Sequence, residues 1–505
     1  MRQPPLAAVD KTVLVGFVLA KLCSQLLVAR RYGYHADELY FIECAKHLAL
    51  GYVDQMPLVP WLTRLVGEIA GYDLLALRFL PALASAASVG IAILLVGEWG
   101  GKRAAQIVAA LAMFIAPAYL QMASLMHIPV FECLFWSLNA YLLVRIVKGG
   151  DSRLWLAVGV VSGFGLLNKP TMLLWGAGMA FGLALTEHRR MLRSPWPWLA
   201  ALIAFAIFSP NIIWQQQNGW ATWEFLRALE NGVLAAIPRH LFLLGQLLYM
   251  HPLSIPIAVA GLVWLFSPAG QRFRFFAWLY LFCLVLLTLG RGKPYYLAAA
   301  YPPLFAAGAV LIEDRFIRQV RTRLLAIAGG LATGGVLTGL FALPILDIRT
   351  ADEVIRRLLG FVVPDPTMIT GDFHREYGWR EQAEAVGRAY RSLSDSERAR
   401  SVVLAHDYSE AAAIDFFGKE WGLPHASSGH MNYFLWGPPE VSDATVLAIG
   451  MPQQVLAEFC SNVTQVDESF HPLAIASENH LPVYRCKHAG PWTTDEWQRL
   501  KRYYH

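Results

Sequence analysis

The stretch LLALRFLPALASAASVGIAILLVG, residues 74–97, contains a single charged side chain, Arg78. An α-helix needs about 20 apolar residues to cross a hydrocarbon core roughly 30 Å thick, so this run reads as a membrane span. Similar runs recur at 12–29, 104–121, 128–147, 154–168, 170–186, 197–213, 241–266, 275–290, 295–312 and 324–345. Together they predict a polytopic α-helical membrane protein of about 11 transmembrane helices. Two boundaries are soft, because 154–168 and 170–186 abut at Pro170 and 241–266 carries His251-Pro252 in its middle. Composition agrees: 56% of the 505 residues are hydrophobic and 16% charged, against about 25% charged in an ordinary soluble domain. Mean hydropathy is +0.41. These values exclude a disordered chain and speak against a soluble enzyme. The net charge of +5 is dispersed, without the clustered basic face of a nucleic-acid binder.

Short cytoplasmic loops retain Lys and Arg, which orients the spans. With the N-terminus inside, the inner loops hold Lys102-Arg103, Arg145/Lys148/Arg153, Arg189-Arg190/Arg193, Arg272/Arg274 and Arg315/Arg318/Arg321/Arg323. An odd number of spans then places the tail outside. Residues 1–345 are the expected transmembrane region and 346–505 an extracytoplasmic α/β domain, where charge rises and apolar runs shrink to strand length. Its predicted strands are Ser401–Ala405, Ala444–Ile449 and Pro482–Cys486. The first apolar run lacks a small-x-small cleavage site and is expected to stay as an anchor. Cys23, Cys44, Cys133 and Cys283 read as small buried apolar residues. Cys460 and Cys486, the only pair in the tail, leave a disulfide and two free thiols both open. Asn462-Val463-Thr464 matches a glycosylation sequon and is taken as chance.

Between the first two spans lies a loop, 30–73, patterned as two short amphipathic helices broken by Gly51, Pro57 and Pro60. A loop of this length is usually functional. Its opening, Tyr34-His35-Ala36-Asp37-Glu38-Leu39-Tyr40, sets adjacent carboxylates at the start of a helix running to about Leu50. Neighbours on a helix point about 100° apart, so only one of them can face a cavity. Asp37 reads as an N-cap with Glu38 as a first-turn acid, or as a general base at the membrane surface. The two readings are compatible.

The string His35 to Tyr40, followed by Gly51-Tyr52-Val53-Asp54-Gln55-Met56-Pro57-Leu58-Val59-Pro60-Trp61-Leu62, resembles the first periplasmic loop of glycosyltransferase family 39. That family includes protein O-mannosyltransferases and the lipid A aminoarabinose transferase. The resemblance continues at Leu77–Leu83, Gly165-Leu166-Leu167-Asn168-Lys169, Gly292-Lys293-Pro294-Tyr295-Tyr296 and Tyr301-Pro302-Pro303. It implies a GT-C-like fold with an extracytoplasmic active site and a polyprenyl-phosphate sugar donor. By position it makes Asp37, with Glu38, the catalytic base, and places Arg78, Lys169 and Lys293 around the donor phosphate. Fixed cations in a poorly hydrated pocket stabilise charge developing on a departing phosphate, and cations at span ends are costly unless they serve a purpose. Each alone also reads as a snorkelling side chain. Arg291 flanks Gly292 beside Lys293, while Tyr34, Tyr295, Tyr296 and Tyr301 offer hydroxyls and ring faces, or simply belong to an interfacial belt.

Two departures stand out. Gln55 occupies the place where many relatives carry a Lys before Pro-Pro-Leu, and His127 precedes Ile128-Pro129 where relatives often have an acid. His127 reads as a second acid/base or as an interfacial His, and Glu132 as a stand-in for the missing acid. No cofactor is implied, although the adjacent Asp37 and Glu38 suit a divalent ion. No spacing suggests zinc, a nucleotide loop or a nucleophile elbow. The expected protein is thus an inverting glycosyltransferase of a bacterial inner membrane, passing sugar to a lipid, lipopolysaccharide or protein acceptor on the periplasmic side. The competing class is a secondary transporter or lipid flippase, which internal inverted repeats would favour; none is visible.

Overall fold

A computed structural model describes residues 9–234, 238–317, 321–360 and 365–504. The N-terminal two-thirds is helical. α1 (Lys11–Leu26) leads to two loop helices, α2 (Ala36–Lys46) and α3 (Leu58–Ala70), and then to α4 (Leu74–Glu98), α5 (Arg103–Ile115), α6 (Pro117–Gln121) and α7 (Ile128–Val147). There follow α8 (Leu154–Asn168), α9 (Met172–Ala184), α10 (Pro195–Gln217), α11 (Ala221–Leu229), α12 (Arg239–Tyr249), α13 (Ile255–Phe266), α14 (Phe275–Leu289), α15 (Tyr301–Ile312) and α16 (Arg321–Ala342). Among the described residues five stretches are long and apolar enough to cross a membrane: α4, α7, α10, Pro294–Ile317 and Thr322–Ala342. α5, α8, α9, α13 and α14 are shorter apolar helices. α4 and α7 are mostly enclosed by their neighbours, whereas α10 and α16 turn side chains such as Leu202, Phe205 and Val336 outward, as lipid-facing helices do.

Three expected spans are interrupted. The 104–121 run divides at Ala116, where Pro117 opens α6, because proline has no amide hydrogen to continue the ladder. The 241–266 run divides between α12 and α13 at His251, whose φ is +70°. The 295–312 run begins as a 3₁₀ turn, Pro294–Ala300, and becomes α-helical only at Tyr301. Basic loops gather at one end of the bundle. There Lys148 and Arg145 meet Glu98, Arg272 caps the carbonyl of Val147, and Glu313 accepts the amides of Lys102, Ala104 and Ala105. Arg78 lies at the other end of α4, beside the first loop.

The tail continues with α17 (Ile348–Leu359), α18 (Thr367–His374), α19 (Trp379–Arg391), α20 (Asp395–Arg398), β1 (Ser401–Ala405), α21 (Tyr408–Phe417), β2 (Ala426–Ser427), α22 (Met431–Trp436) and β3 (Thr445–Ile449). α23 (Gln453–Leu456), β4 (Ser461–Ser469), β5 (Leu481–Lys487) and α24 (Thr494–Leu500) complete it. The five strands form one sheet in the order β2-β1-β3-β5-β4. β1 pairs parallel with β2 and β3, while β5 pairs antiparallel with β3 and β4. β1 and β3 are buried along their whole length, which explains their unbroken apolar sequences. Cys460 and Cys486 form a disulfide, Cα to Cα 5.7 Å. Of the other cysteines, Cys44, Cys133 and Cys283 are buried as expected, but Cys23 is exposed on α1.

Candidate active site

α2 begins with a reciprocal cap. His35 Nδ1 accepts the Asp37 amide at 3.1 Å, and Glu38 Oε2 accepts the His35 amide at 2.9 Å. The N-cap is therefore His35 and not Asp37, and the helix ends at Lys46 instead of Leu50 because His47 leaves helical geometry. One turn of helix sends the two acids in different directions, as the 100° rotation requires.

Glu38 points inward and is spent on structure. Its oxygens accept from Arg78 Nε at 3.0 Å and Nη2 at 2.7 Å, and from the Met126 amide at 2.9 Å. Arg78 also bonds the carbonyls of Ala29 and Gly33 and, at 2.8 Å, the carboxylate of Glu376. Its side chain is 1% exposed. All three guanidinium nitrogens donate to protein acceptors, so Arg78 ties the first loop to α4 and to the tail. Burial raises the Glu38 carboxyl, but the Arg78 charge and its bonds prevail and hold it below the ordinary range.

Asp37 points the other way, with 32% of its side chain exposed. Oδ1 accepts the Tyr408 hydroxyl at 3.0 Å, and Oδ2 lies 3.9 Å from His35 Nδ1. Burial raises this carboxyl, yet nearby His35, His127 and Arg375 and the Tyr408 bond outweigh it, so its pKa is lowered. His127, the N-cap of α7, feels both Asp37 and Lys169, and burial keeps it below its ordinary value. Because Asp37 and Glu38 engage separate partners, Tyr408 and Arg78, the adjacent acids present no shared face to a divalent ion.

Lys169 caps the C-terminus of α8. Its Nζ is 2.9 Å from Glu132 Oε2, 4.0 Å above the Tyr296 ring and 5.5 Å from that of Tyr295. Thr171 bonds the other Glu132 oxygen. The ends of α7 and α8 thus meet the 3₁₀ turn that follows Arg291 and Lys293. Arg291 has a φ of +52°. Lys293 is half-buried.

Three predicted residues lie apart from this arrangement. Tyr301 is 1% exposed; it receives the Tyr280 hydroxyl at 3.0 Å and donates to Gln246 at 3.2 Å, inside the helical core. Tyr34 donates to the Tyr72 carbonyl at 3.0 Å and packs on Phe416. Gln55 is buried with Nε2 3.5 Å from Cys44 Sγ. Each is engaged by neighbouring protein groups.

Sequence reading missed Tyr408, in the tail, and Asp54, in the first loop. Tyr408 follows β1 and reaches Asp37 across 371 residues of chain; its surrounding Asp407-Tyr408-Ser409-Glu410 turn is visible in sequence, but its target is not. Asp54 is the second omission. It accepts Tyr40 Oη at 2.9 Å and Asn432 Nδ2 at 3.2 Å, and burial, with the Asp37 charge adding, pushes it up to about 7. Two carboxyls are thereby driven apart in pKa within one site, a pattern typical of acid/base chemistry.

The family model for dolichyl-phosphate-mannose-protein mannosyltransferase matches residues 54–214. That stretch includes Arg78, His127 and Lys169. No curated protein matches the chain in sequence. Among solved structures it is similar to ArnT from Cupriavidus metallidurans bound to undecaprenyl phosphate, with TM-score 0.61 and 14% identity over 96% of this chain and 100% of that one. The apo state of the same ArnT gives TM-score 0.61 and 15% identity, covering 95% and 99%. The fold is the GT-C-like one expected, and the resemblance read from the first loop recurs in both comparisons.

Proposed function

We propose that this chain is an inverting, membrane-embedded glycosyltransferase that takes a sugar from a polyprenyl phosphate. The observation that carries the reading is a partly exposed Asp37, its pKa lowered, and a Lys169 ammonium at the end of α8, both of which act electrostatically on His127 between them. The family match over 54–214 and the likeness to an ArnT bound to undecaprenyl phosphate support it. In this reading eleven spans form residues 1–345, the domain 346–505 lies on the periplasmic side of a bacterial inner membrane, and the acceptor is a lipid, lipopolysaccharide or protein.

The step runs as follows. Asp37 Oδ2 takes the acceptor proton, the acceptor attacks the anomeric carbon from the face opposite the phosphate, and the sugar–phosphate bond breaks. Lys169, with Arg291 and Lys293, stabilises the departing phosphate, and Tyr295 and Tyr296 provide the ring faces on which Lys169 rests. Glu132 and Thr171 hold Lys169 in place. Glu38 and Arg78 position the loop and touch neither substrate. His127 hydrogen-bonds the acceptor.

The test is transfer from labelled polyprenyl-phosphate sugars in membranes holding equal amounts of wild type, Asp37→Asn and Lys169→Ala. Asp37→Asn should abolish transfer while retaining donor binding, and Lys169→Ala should slow it about 100- to 1,000-fold. Normal transfer by Asp37→Asn would reduce that residue to a member of the helix start.

A further inference from the structure

α2 and the sheet domain meet a second time, away from Asp37. Glu43, near the far end of α2, has a side chain 1% exposed whose carboxylate meets one donor among the described residues, Lys46 Nζ at 2.5 Å. Facing it are Asp415 near the end of α21 and His425 just before β2. One ligating atom from each of the three lies within 4.8 Å of the other two. Asp415 Oδ1 sits 2.7 Å from His425 Nδ1 and also accepts the Ala426 amide at 2.7 Å. Its Oδ2 accepts the Tyr433 hydroxyl at 2.7 Å. Those outer bonds fix the carboxylate's direction, the role such partners play around metal ligands. The His425 ring is half exposed and stacks 5.7 Å from His47, which lies 4.2 Å from Trp436.

We propose that Glu43, Asp415 and His425 bind one divalent transition-metal ion of the zinc class. Two carboxylates and an imidazole form an oxygen–nitrogen set suited to that ion, with water completing the coordination. On binding, the ion takes the place of the hydrogen between His425 Nδ1 and Asp415, and the flexible Lys46 ammonium swings out to solvent. The site has a mechanical consequence. α2 and α21 lie with like ends together, Asp37 against Tyr408 at one end and Glu43 against Asp415 at the other. A metal at the second contact locks the two helices in register and thereby holds Tyr408 on Asp37. The inference stands independently of whether the chain transfers a sugar.

The test uses the full-length protein in detergent, stripped with a chelator and titrated with Zn²⁺ or Co²⁺. The wild type should take up one equivalent, show ligand-field bands with Co²⁺ and unfold at higher temperature with Zn²⁺. His425→Ala should bind about 100-fold or more weakly and lose the thermal shift while keeping its helix content. Lys46→Ala should bind more tightly than wild type, since the competing ammonium is gone. Absence of uptake by the wild type at micromolar metal, equal binding by His425→Ala, or weaker binding by Lys46→Ala would each overturn the proposal.

Discussion

The Tyr408 hydroxyl donates to Asp37 Oδ1, and a donor to a carboxylate favours its ionised form. Removing it should raise the Asp37 pKa. Tyr408→Phe is expected to move the acid limb of kcat/KM to higher pH by up to about one unit, read from transfer rates between pH 4 and 8; an unmoved limb would separate Tyr408 from the chemistry. Glu376 behaves in the opposite sense. Burial, with Glu38 adding and Arg78 opposing, lifts its carboxyl from 4.5 to about 7. The folded state then holds a proton that the unfolded chain has released, so this residue's contribution to stability is lost as pH rises from 4.5 towards 7. Glu376→Gln should flatten that decline in a series of thermal melts; an unaltered profile would mean that the carboxyl ionises freely. Sequence reading could say that only one of Asp37 and Glu38 faces a cavity. It could not say which, because the deciding partners, Arg78 and Tyr408, lie 40 and 371 positions away.

Helices α13 and α15 show what glycine does at a close contact. A methyl group added to Gly308 would collide with the Ile257 carbonyl, and one added to Gly261 with that of Leu304. The two backbones approach because neither position has a side chain, as small residues allow at membrane-helix interfaces. Gly308→Val should force the pair apart and destabilise the helical region by several kcal/mol, on the order of other overpacking changes, seen as aggregation on size exclusion after detergent extraction; a normal profile would show that α13 can slide. At this scale the apolar runs were legible throughout, while their interruptions at Ala116 and His251 were only partly so. Strand β4 was missed for a plain reason. SNVTQVDES lies at the sheet edge with most of its side chains exposed, so it lacks the apolar signature that revealed β1 and β3.

Across the whole molecule the sheet domain closes over the first loop. The Val53 amide donates to Asn432, Tyr40 and Asp54 bond the same asparagine, and Arg78 reaches Glu376. The disulfide joins the start of β4 to β5 with a sequence separation of 26. Replacing both cysteines by serine should cost about 3 kcal/mol of domain stability, the usual scale for a loop of this size. The measurement is thermal unfolding with and without reductant; equal melting of wild type in both would show the bond to be dispensable. Equally, a thiol count on protein taken directly from cells reports whether the pair meets an oxidising compartment.

The sequence by itself determined the helical membrane character, the rows of basic loops, two strands with unbroken apolar runs and a third at Pro482–Cys486, and the region of the candidate site. These follow from composition and local periodicity, which act over a few residues. Only the tertiary structure decided which carboxylate is exposed, that Arg78 is consumed by Glu38 and Glu376, and that Tyr408 and Asp54 join Asp37. Desolvation, charge pairing and hydrogen bonding between distant segments set those outcomes, and such interactions have no counterpart in local pattern.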